Sequence, residues 1–409
     1  MKLLSLCLTL LASFFANSAD IQVNNSGQSG TYTTITAAVN AASTGDRIFI
    51  SPYNQYTENL SITKSLTLTS AVSNTRFSVV GNTTVTSAPN QEVTIIGGEF
   101  IGSFIGSTGT ATNLTKGKIS IVDCLNQSLT VGNYILSNIF FSTVLSTITM
   151  ENGKIIGSKY GNIVIQDGPS SNVGDTLSII GNIGGGIEWN SNDHFFHFYN
   201  NFISGNPAIR FNNSCYSSTV NNIICNNTIS GGSNYSVAYA TVTFPLPSGS
   251  NMSNILLTNN IIQNPGNSAM AITCGIQYPN GAGDQSLCNS NVGLPKLYYN
   301  YIMHTNINNS GIYASDIVGN TFAGTAISFD NFGKPLISNS LISDKGMPSI
   351  IYYDIDLSRN DIGTSGGPYS IDNYWNTASG RARIYNLDIP FEIWNGNTPS
   401  VKADGIHIK

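Results

Sequence analysis

The chain has 409 residues, a formal net charge of −5 and only 10% charged side chains. Soluble domains have about 25% charged residues, so Asn, Gly, Ser and Thr must supply most of this polar surface. A hydrophobic content of 41% excludes a disordered chain. The 17 Lys and Arg at a pI of about 5.3 exclude a basic nucleic-acid-binding surface.

Residues 1–19 have the pattern of a secretory signal peptide. Lys2 supplies the positive start, Leu3 begins an apolar run that ends at Phe15, and Ala16-Asn17-Ser18 resembles a cleavage site. The apolar run is shorter than the ~20 residues that a membrane span needs. We therefore expect a soluble mature chain that starts near Asp20 and is secreted, bound at the cell surface or periplasmic.

Five cysteines would remain after cleavage, an odd number that leaves at least one free thiol or an intermolecular bond. They are Cys124, Cys215, Cys225, Cys274 and Cys288. Cys215 with Cys225, and Cys274 with Cys288, are the pairs closest in sequence, and the alternative is that these residues are small buried hydrophobes. No CxxC or Cys/His grouping indicates zinc, so we predict no metal and no cofactor.

Strand-type periodicity covers nearly the whole chain. Segments such as 60–69 and 177–180 alternate, or run apolar for a few residues, before Asn or Gly interrupts them. The one clear helical pattern is Thr34 to Ala42, which is followed by Gly45. Its apolar face comprises Ile35, Ala38, Val39 and Ala42.

A recurring pattern of apolar residues, one or two Asn, and apolar residues again indicates an internal repeat. The Asn of this pattern are Asn182, Asn201, Asn227, Asn260, Asn300, Asn320 and Asn339. Intervals of about 20 residues or more are typical of a solenoid with one coil per repeat. Stacked Asn can hydrogen-bond as a ladder and tolerate the left-handed backbone of a bend, whereas the alternative is that Asn only marks loops. The pattern predicts a parallel β-helix.

Two segments carry a resemblance to a known family. Residues 32–50, with Tyr56-Thr57-Glu58 and the segment 64–68, resemble the opening of secreted right-handed β-helix proteins of the pectin-lyase-like superfamily. Residues 356–368, which include Asp361-Ile362-Gly363, are similar to the closing motif of bacterial right-handed β-helix repeat proteins, where charges tie down the last coil. The resemblance implies an all-β right-handed parallel β-helix (solenoid) over residues 20–368, with a short N-terminal capping helix.

The C-terminal residues 369–409 differ from the repeat. Residues 381–390 and 401–408 both alternate, and Asn395-Gly396 between them is a turn signal. We predict a small C-terminal β extension that packs on the end of the coil and covers a sheet edge. A truncated surface-attachment module is the alternative.

The fold implied by the resemblance hosts lyases, hydrolases, esterases, adhesins and binding proteins, so it does not imply one activity. The carboxylate groupings of its calcium-dependent lyases, hydrolases and esterases are missing from this sequence. The one segment that combines two His with two carboxylates is 188–197. On an alternating strand His194 and His197 face opposite sides, whereas Asp193 and His197 share a side.

Asp193, His197 and Arg210 are therefore the candidate catalytic residues, with Arg210 expected one coil further on. In a lyase, His197 or His194 would act as the base and Arg210 would neutralise a uronate carboxylate. The alternative, which we favour, is a solvated loop whose His residues cap strand ends. Trp189, Tyr298 and Tyr353 are candidate rings for stacking on sugars, and packing against neighbouring strands is the alternative for them.

These observations predict a secreted β-helix protein that binds extracellular polysaccharide or a cell-surface glycan without catalysis. The alternative is a polysaccharide lyase that acts on an acidic glycan. No nucleic-acid partner and no membrane span are expected. A purely structural or ice-binding role would need regular Thr rows, and the Thr positions are irregular.

Overall fold

The computed structural model describes residues 18–106, 116–132, 134–166, 176–191, 194–205, 207–212, 222–231, 242–244, 253–263, 272–274, 295–303, 316–375, 381–388 and 402–408. Its strands, numbered in chain order, stack in parallel on the strands of the coils before and after, and so form a sheet of 13 strands and a sheet of 20 strands. The larger sheet consists of two rows that share two long strands, and these rows are here called the second and third sheets. The predicted signal peptide lies almost entirely outside the described residues.

The first sheet has 13 strands, all of them paired in parallel. They are β1 (Asp20–Val23), β2 (Arg47–Ile50), β5 (Leu66–Ser70), β8 (Glu92–Ile96), β11 (Lys116–Val122), β14 (Tyr134–Phe140), β16 (Gly153–Ile156), β18 (Thr176–Ile180), β21 (Phe195–Tyr199), β24 (Asn222–Cys225), β27 (Ile255–Thr258), β30 (Lys296–Tyr298) and β32 (Asp316–Val318).

The second sheet follows the first after a sharp bend in each coil. Its strands are β3 (Gln55–Thr57), β6 (Phe77–Val80), β9 (Gly98–Phe100), β12 (Leu125–Asn126), β15 (Thr143–Met150), β17 (Lys159–Gln166), β19 (Ile183–Gly184), β22 (Phe202–Ile203), β25 (Thr228–Ser230), β28 (Ile261–Gln263), β31 (Tyr301–Met303) and β33 (Thr321–Ala323).

The third sheet completes the coil and shares the long strands β15 and β17 with the second. Its other strands are β4 (Leu60–Ile62), β7 (Thr83–Val85), β10 (Phe104–Gly106), β13 (Leu129–Val131), β20 (Ile187–Asn190), β23 (Ile209–Phe211), β26 (Val242–Phe244) and β29 (Ile272–Cys274). The architecture is the predicted right-handed parallel β-helix, because a parallel connection between strands of one sheet is almost always right-handed.

The N-terminal cap is the helix α1 (Ile35–Ala41), which matches the helical pattern in the sequence. The Thr34 side chain accepts the N–H of Ala37, and the Glu58 carboxylate accepts the N–H groups of Ile35 and Thr36, each at 2.8 Å. A carboxylate at a helix N-terminus satisfies unpaired N–H groups and complements the helix dipole. Glu58, which belongs to the Tyr-x-Glu segment, thus has a structural role.

Aliphatic side chains stacked coil upon coil form the centre of the core. Along the middle of the first sheet, one inward-facing position is filled by Ile48, Leu68, Ile95, Ile121, Ile139, Ile155, Ile179, Phe198, Ile224, Leu257 and Leu297, all at most 1% exposed. Each coil buries its apolar side against its neighbours, so stability accumulates along the stack.

The predicted Asn ladder is present at the bend between the first and second sheets. From Asn182 through Asn201, Asn227, Asn260 and Asn300 to Asn320, each backbone N–H donates to the Oδ1 of the next Asn at 2.8–3.0 Å. Ser142, Ser158 and Cys124 extend the series towards the N-terminus, because their backbone N–H groups donate to the polar side chain of the next coil.

Two details of the ladder differ from the prediction. The left-handed residue is the one before each ladder position, for example Asn200 with φ 52° and Asn226 with φ 56°, and not the ladder Asn itself. Asn339 is not a rung, because its Oδ1 accepts the N–H of Leu341 within a local turn. The first Asn of each Asn-Asn pair therefore makes the bend and the second makes the ladder.

Residues 324–375, here called the strap, form no further stacked coil. The strap packs on the outer face of the second sheet, where Ile327, Ile342 and Ile362 cluster with Ile261 and Tyr301. The last stacked strand among the described residues is therefore β33, and the expected β-helix up to residue 368 includes a segment of different structure. The closing motif lies within this strap and not in a last coil.

The strap also binds the left-handed residues of the bend. Asn200 Nδ2 donates to the carbonyl oxygens of Thr364 and Gly366, and Asn226 Nδ2 donates to Asn360 Oδ1. The strap runs back along the bend until the helix α2 (Asp372–Trp375), where Trp375 Nε1 donates to the Gly181 carbonyl at 2.7 Å. It contains a short 3₁₀ helix at Ile350–Tyr352.

Beyond the strap, β34 (Arg381–Asp388) and β35 (Lys402–Ile408) pair antiparallel, as their alternation indicates. Of the two alternatives for Cys225, the structure has the buried free thiol and not the disulfide with Cys215. Cys124 is likewise buried and free, as expected of a small hydrophobe. Cys215 and Cys288, and the side chain of Cys274, lie outside the described residues.

Candidate functional site

A concave pocket of about 240 Å³ opens on the solvent side of the third sheet. Its floor is formed by β17, β20 and β23, in which Ile163, Ile187 and Ile209 face the core. The alternation of these strands directs the residues between the core positions outward. The pocket is lined by Thr147, Asn162, Ile163, Val164, Gly186, Ile187, Glu188, Pro207 and Arg210.

Glu188 and Arg210 provide the charged groups of the pocket. They occupy the same position on adjacent strands, directly opposite each other in the parallel register. Asn212 Nδ2 donates to Glu188 Oε1 at 2.6 Å and to Asn190 Oδ1 at 2.7 Å, which holds the carboxylate against the third sheet. A carboxylate acceptor and a guanidinium donor therefore lie side by side on a half-buried surface.

Beside the pocket, the backbone at Gly205 packs closely against the backbone at Gly186, which lines the pocket. A Cβ placed on Gly205 would lie 2.8 Å from the backbone N of Gly186, so Gly205 can approach the third sheet this closely only because it has no side chain. Asn162 Oδ1 accepts the N–H of Gly186 at 2.9 Å, which leaves the side-chain amide NH₂ of Asn162 to donate to a ligand. The pocket thus presents both donors and acceptors around a fixed backbone.

The predicted catalytic group is not assembled in one place. His197 lies on β21 of the first sheet, with its ring 5.7 Å from that of Tyr199, whereas Arg210 lies on the third sheet. Arg210 was expected one coil after His197, but it lies in the same coil. The chain bends after Tyr199 and again before Ile209, so His197 and Arg210 lie on different sheets of that coil. Asp193 lies outside the described residues, and His194 is buried with its Nδ1 2.9 Å from Ser191 Oγ.

Trp189 is not a surface ring for sugar stacking, contrary to the prediction. It is 0% exposed, its ring packs edge-on against Phe196 at 4.9 Å, and its Nε1 donates to the Ser191 carbonyl. Strand alternation explains this, because Ile187 and Trp189 face inward while Glu188 between them faces the solvent. The same alternation was sufficient to identify Glu188 as the outward residue.

The two candidate tyrosines lie far from the pocket. Tyr298 is on the first sheet, and its hydroxyl donates to Asp316 Oδ2 at 2.5 Å, a hydrogen bond that raises the pKa of the phenol. Tyr353 is a half-buried residue of the strap, just after the 3₁₀ helix. Neither tyrosine lines the pocket that contains Glu188 and Arg210.

Within the described ranges, no three His, Cys, Asp or Glu side chains are grouped so that they could hold a metal ion. None of the helices in that part of the chain has the length and apolarity that a membrane span requires.

Comparison with known proteins gives similarity at the level of structure. No family model matches the chain, and no curated protein matches its sequence. The solved structures similar to it include an alginate lyase of the PL6 family, AlyGC, with 14% identity and a TM-score of 0.37 over 85% of this chain and 58% of the lyase. A pectin methylesterase from Aspergillus niger has 14% identity and a TM-score of 0.25 over 80% of this chain and 91% of the esterase.

This chain therefore spans less than two thirds of the length of the alginate lyase. At such identities and TM-scores, the similarities do not bear on substrate or chemistry. The strand pairing itself defines the architecture: the chain is an all-β, right-handed parallel β-helix with a helical N-terminal cap.

Proposed function

We propose that this protein binds an extracellular polysaccharide in the pocket on the third sheet and does not cleave it. The observation that carries the proposal is the adjacent pair of Glu188 and Arg210 in a concave, polar, solvent-facing pocket. Sugar hydroxyls donate to carboxylates and accept from guanidinium and amide groups, so a glycan matches this set of partners. A ligand carboxylate or sulfate would pair with Arg210 through charge-assisted hydrogen bonds.

The shape of the molecule also supports a polymeric ligand. The third sheet is a continuous face built from equivalent strands, and the pocket is one place along that face. A long chain can follow such a surface beyond the pocket and make further contacts with outward side chains such as Thr130 and Thr149. Solenoids typically use extended surfaces of this kind for binding.

Catalysis by Asp193, His197 and Arg210 has less support. A lyase needs a base beside the group that neutralises the substrate carboxylate. His197 lies on a different sheet from Arg210, and the described residues that line the pocket include no His, Lys or Tyr. Among the lining residues that the structure describes, Glu188 is the one that can take up a proton, and it would be the base if turnover were found.

The test is a titration of the mature protein with pectin, alginate and sulfated glycans, with ultraviolet absorbance followed for unsaturated products. We expect saturable binding to at least one acidic glycan without turnover. Arg210→Ala should weaken this binding by about tenfold or more, because a hydrogen bond to a charged group contributes about 1.5–3 kcal/mol.

Arg47→Ala is the matched control, since it removes the same charge from the first sheet, where Arg47 pairs with Asp20. This variant should bind as well as the unmodified chain. Equal weakening by both substitutions would mean that only net charge matters and would reject the pocket. Product release that is lost in Glu188→Gln would replace the binding proposal with a lyase.

A further inference from the structure

The two charged residues of the pocket belong to a series of positions that the parallel register connects, one per coil, along the third sheet. The side chains of this series from Ser61 to Arg210 are exposed or half-buried, because strand alternation directs them outward. The series, here called the register series, is Ser61, Thr84, Ile105, Thr130, Thr149, Val164, Glu188, Arg210, Thr243 and Thr273. Its two charges are adjacent and opposite in sign, and all its other positions are uncharged.

The carboxylate of Glu188 is held in place beside Arg210. The two residues are directly opposite each other on strands that lie about 4.8 Å apart. Asn212, which directly follows β23, donates to Glu188 Oε1 at 2.6 Å and so holds the carboxylate towards the strand of Arg210. An anion that binds Arg210 therefore lies close to a fixed negative charge on the neighbouring strand.

The position of Glu188 limits where a ligand can place anionic groups in the pocket. Like charges placed next to each other across an interface strongly oppose binding, so Glu188 repels a second ligand carboxylate above it. A ligand hydroxyl in that place would instead donate a charge-assisted hydrogen bond to Glu188. Beyond Glu188 the register series continues with Val164 and Thr149, neither of which has a positive charge for a second anion.

We propose that the pocket selects an acidic heteroglycan, in which a uronate unit is flanked by neutral sugar units, and discriminates against a homopolyuronate, which carries a carboxylate on every unit. The selection rests on the proposed glycan binding at this pocket and narrows its ligand to one class. Arg210 takes the single ligand carboxylate, and Glu188 accepts hydrogen bonds from the hydroxyls of the neutral unit beside it. Glu188 is thus the specificity-determining residue of the site.

Two galacturonan oligosaccharides of equal length distinguish the two ligand classes. One carries a free carboxylate on every unit, and the other is methyl-esterified on all units but one in the middle. The backbone and its ring hydroxyls are the same in both, so only the number of charges differs. Calorimetric titration of the mature full-length protein at low ionic strength measures the two affinities. We expect the esterified oligosaccharide to bind about tenfold more tightly or better, because its neutral units place no like charge at Glu188.

Glu188→Gln tests whether Glu188 causes this preference. The amide keeps the size of the side chain and removes its charge, so the variant should bind the fully acidic oligosaccharide about tenfold more tightly than the unmodified protein does. It should bind the esterified oligosaccharide less tightly, because a charge-assisted hydrogen bond becomes a neutral one. Glu92→Gln is the matched control, since it removes the same charge from the exposed start of β8 on the first sheet and should leave both affinities unchanged. Thermal melts verify that both variants are folded.

Failure of the selection can be distinguished from failure of glycan binding itself. If the fully acidic oligosaccharide binds equally well or better, and Arg210→Ala weakens that binding, the selection is overturned while glycan binding at the pocket stands. A preference for the esterified oligosaccharide that persists unchanged in Glu188→Gln would also overturn it, because Glu188 would not be its cause. If the protein binds neither oligosaccharide and no other acidic glycan, both the selection and the proposed function are rejected.

Discussion

At the scale of single residues, the chain relies on amide groups where most proteins use charges. Asn201 shows the reason: its Nδ2 donates to the Ile179 carbonyl and to Asn227 Oδ1, while its Oδ1 accepts from the backbone and side chain of Asn182. All these groups are buried. A charge repeated at each coil would face its own copy about 4.8 Å away, whereas an amide both donates and accepts.

Replacing Asn201 by Ala should strongly destabilise the protein. The change leaves the buried Asn182 N–H without its acceptor and removes one donor from the Ile179 carbonyl, and an unsatisfied buried group costs about 1–3 kcal/mol. We expect thermal unfolding at a clearly lower temperature. The matched control is Asn339→Ala, which removes one exposed turn contact and should shift the free energy of unfolding by less than about 1 kcal/mol. Equal losses in the two variants would contradict a ladder that stabilises the stack.

Tyr160 is a buried residue whose hydroxyl lowers the stability of the folded protein. Its side chain is 4% exposed, and its hydroxyl has no hydrogen-bond partner among the described residues. Burial raises the pKa of this phenol above its ordinary value of 10.0. Because the folded state favours the neutral form, this phenol leaves the stability independent of pH below pH 10 and lowers it as the pH rises above 10, where the phenol ionises in the unfolded chain.

Tyr160→Phe should therefore stabilise the protein by about 1 kcal/mol at neutral pH, because it removes an unsatisfied buried hydroxyl. The advantage should grow above pH 10, where only the unmodified protein has a phenol to ionise. The measurement is the thermal midpoint across pH, with Tyr53→Phe as the control, since Tyr53 is 77% exposed. A destabilised Tyr160→Phe variant would indicate that the hydroxyl has a partner.

At the scale of elements, the strap is the feature that the sequence pattern did not disclose. Its Ile337-Ser-Asn339-Ser-Leu-Ile342 segment repeats the apolar–Asn–apolar pattern of the coils, so local periodicity predicted another coil. What sets the strap apart is its contacts with coils more than a hundred residues earlier, such as those from Asn200 and Asn226. Contacts between residues so far apart in the sequence do not produce a periodic pattern within the strap itself.

Gly363 within the strap allows it to lie flat on the second sheet. It has φ +100°, and a Cβ there would lie 2.6 Å from Ile261 Cδ1. Gly363→Ala should release the strap locally and make it sensitive to limited proteolysis, at a cost of more than about 1 kcal/mol. Gly324→Ala, at the start of the same segment, has open space around its Cβ position and should remain resistant. Resistance in both variants would mean that the strap is held elsewhere.

At the scale of the whole molecule, repetition decides how much can be read from the sequence. The ladder from Asn182 to Asn320 was predictable because the same residue type recurs at each bend. Cys124, Ser142 and Ser158 fill the same place in earlier coils, but their identities differ and the pattern missed them. The candidate site needs the spatial assignment of strands to sheets, which separates His197 from Arg210 although both face outward.

The pocket of Glu188 and Arg210 is the proposed binding site of a glycan. Carbodiimide labelling of carboxylates, with and without an acidic oligosaccharide, tests it within one sample. Glu188 should be protected by the ligand, while Glu92 on the first sheet and Glu99 on the second should label equally in both conditions. Protection of Glu92 or Glu99 with no change at Glu188 would contradict the account.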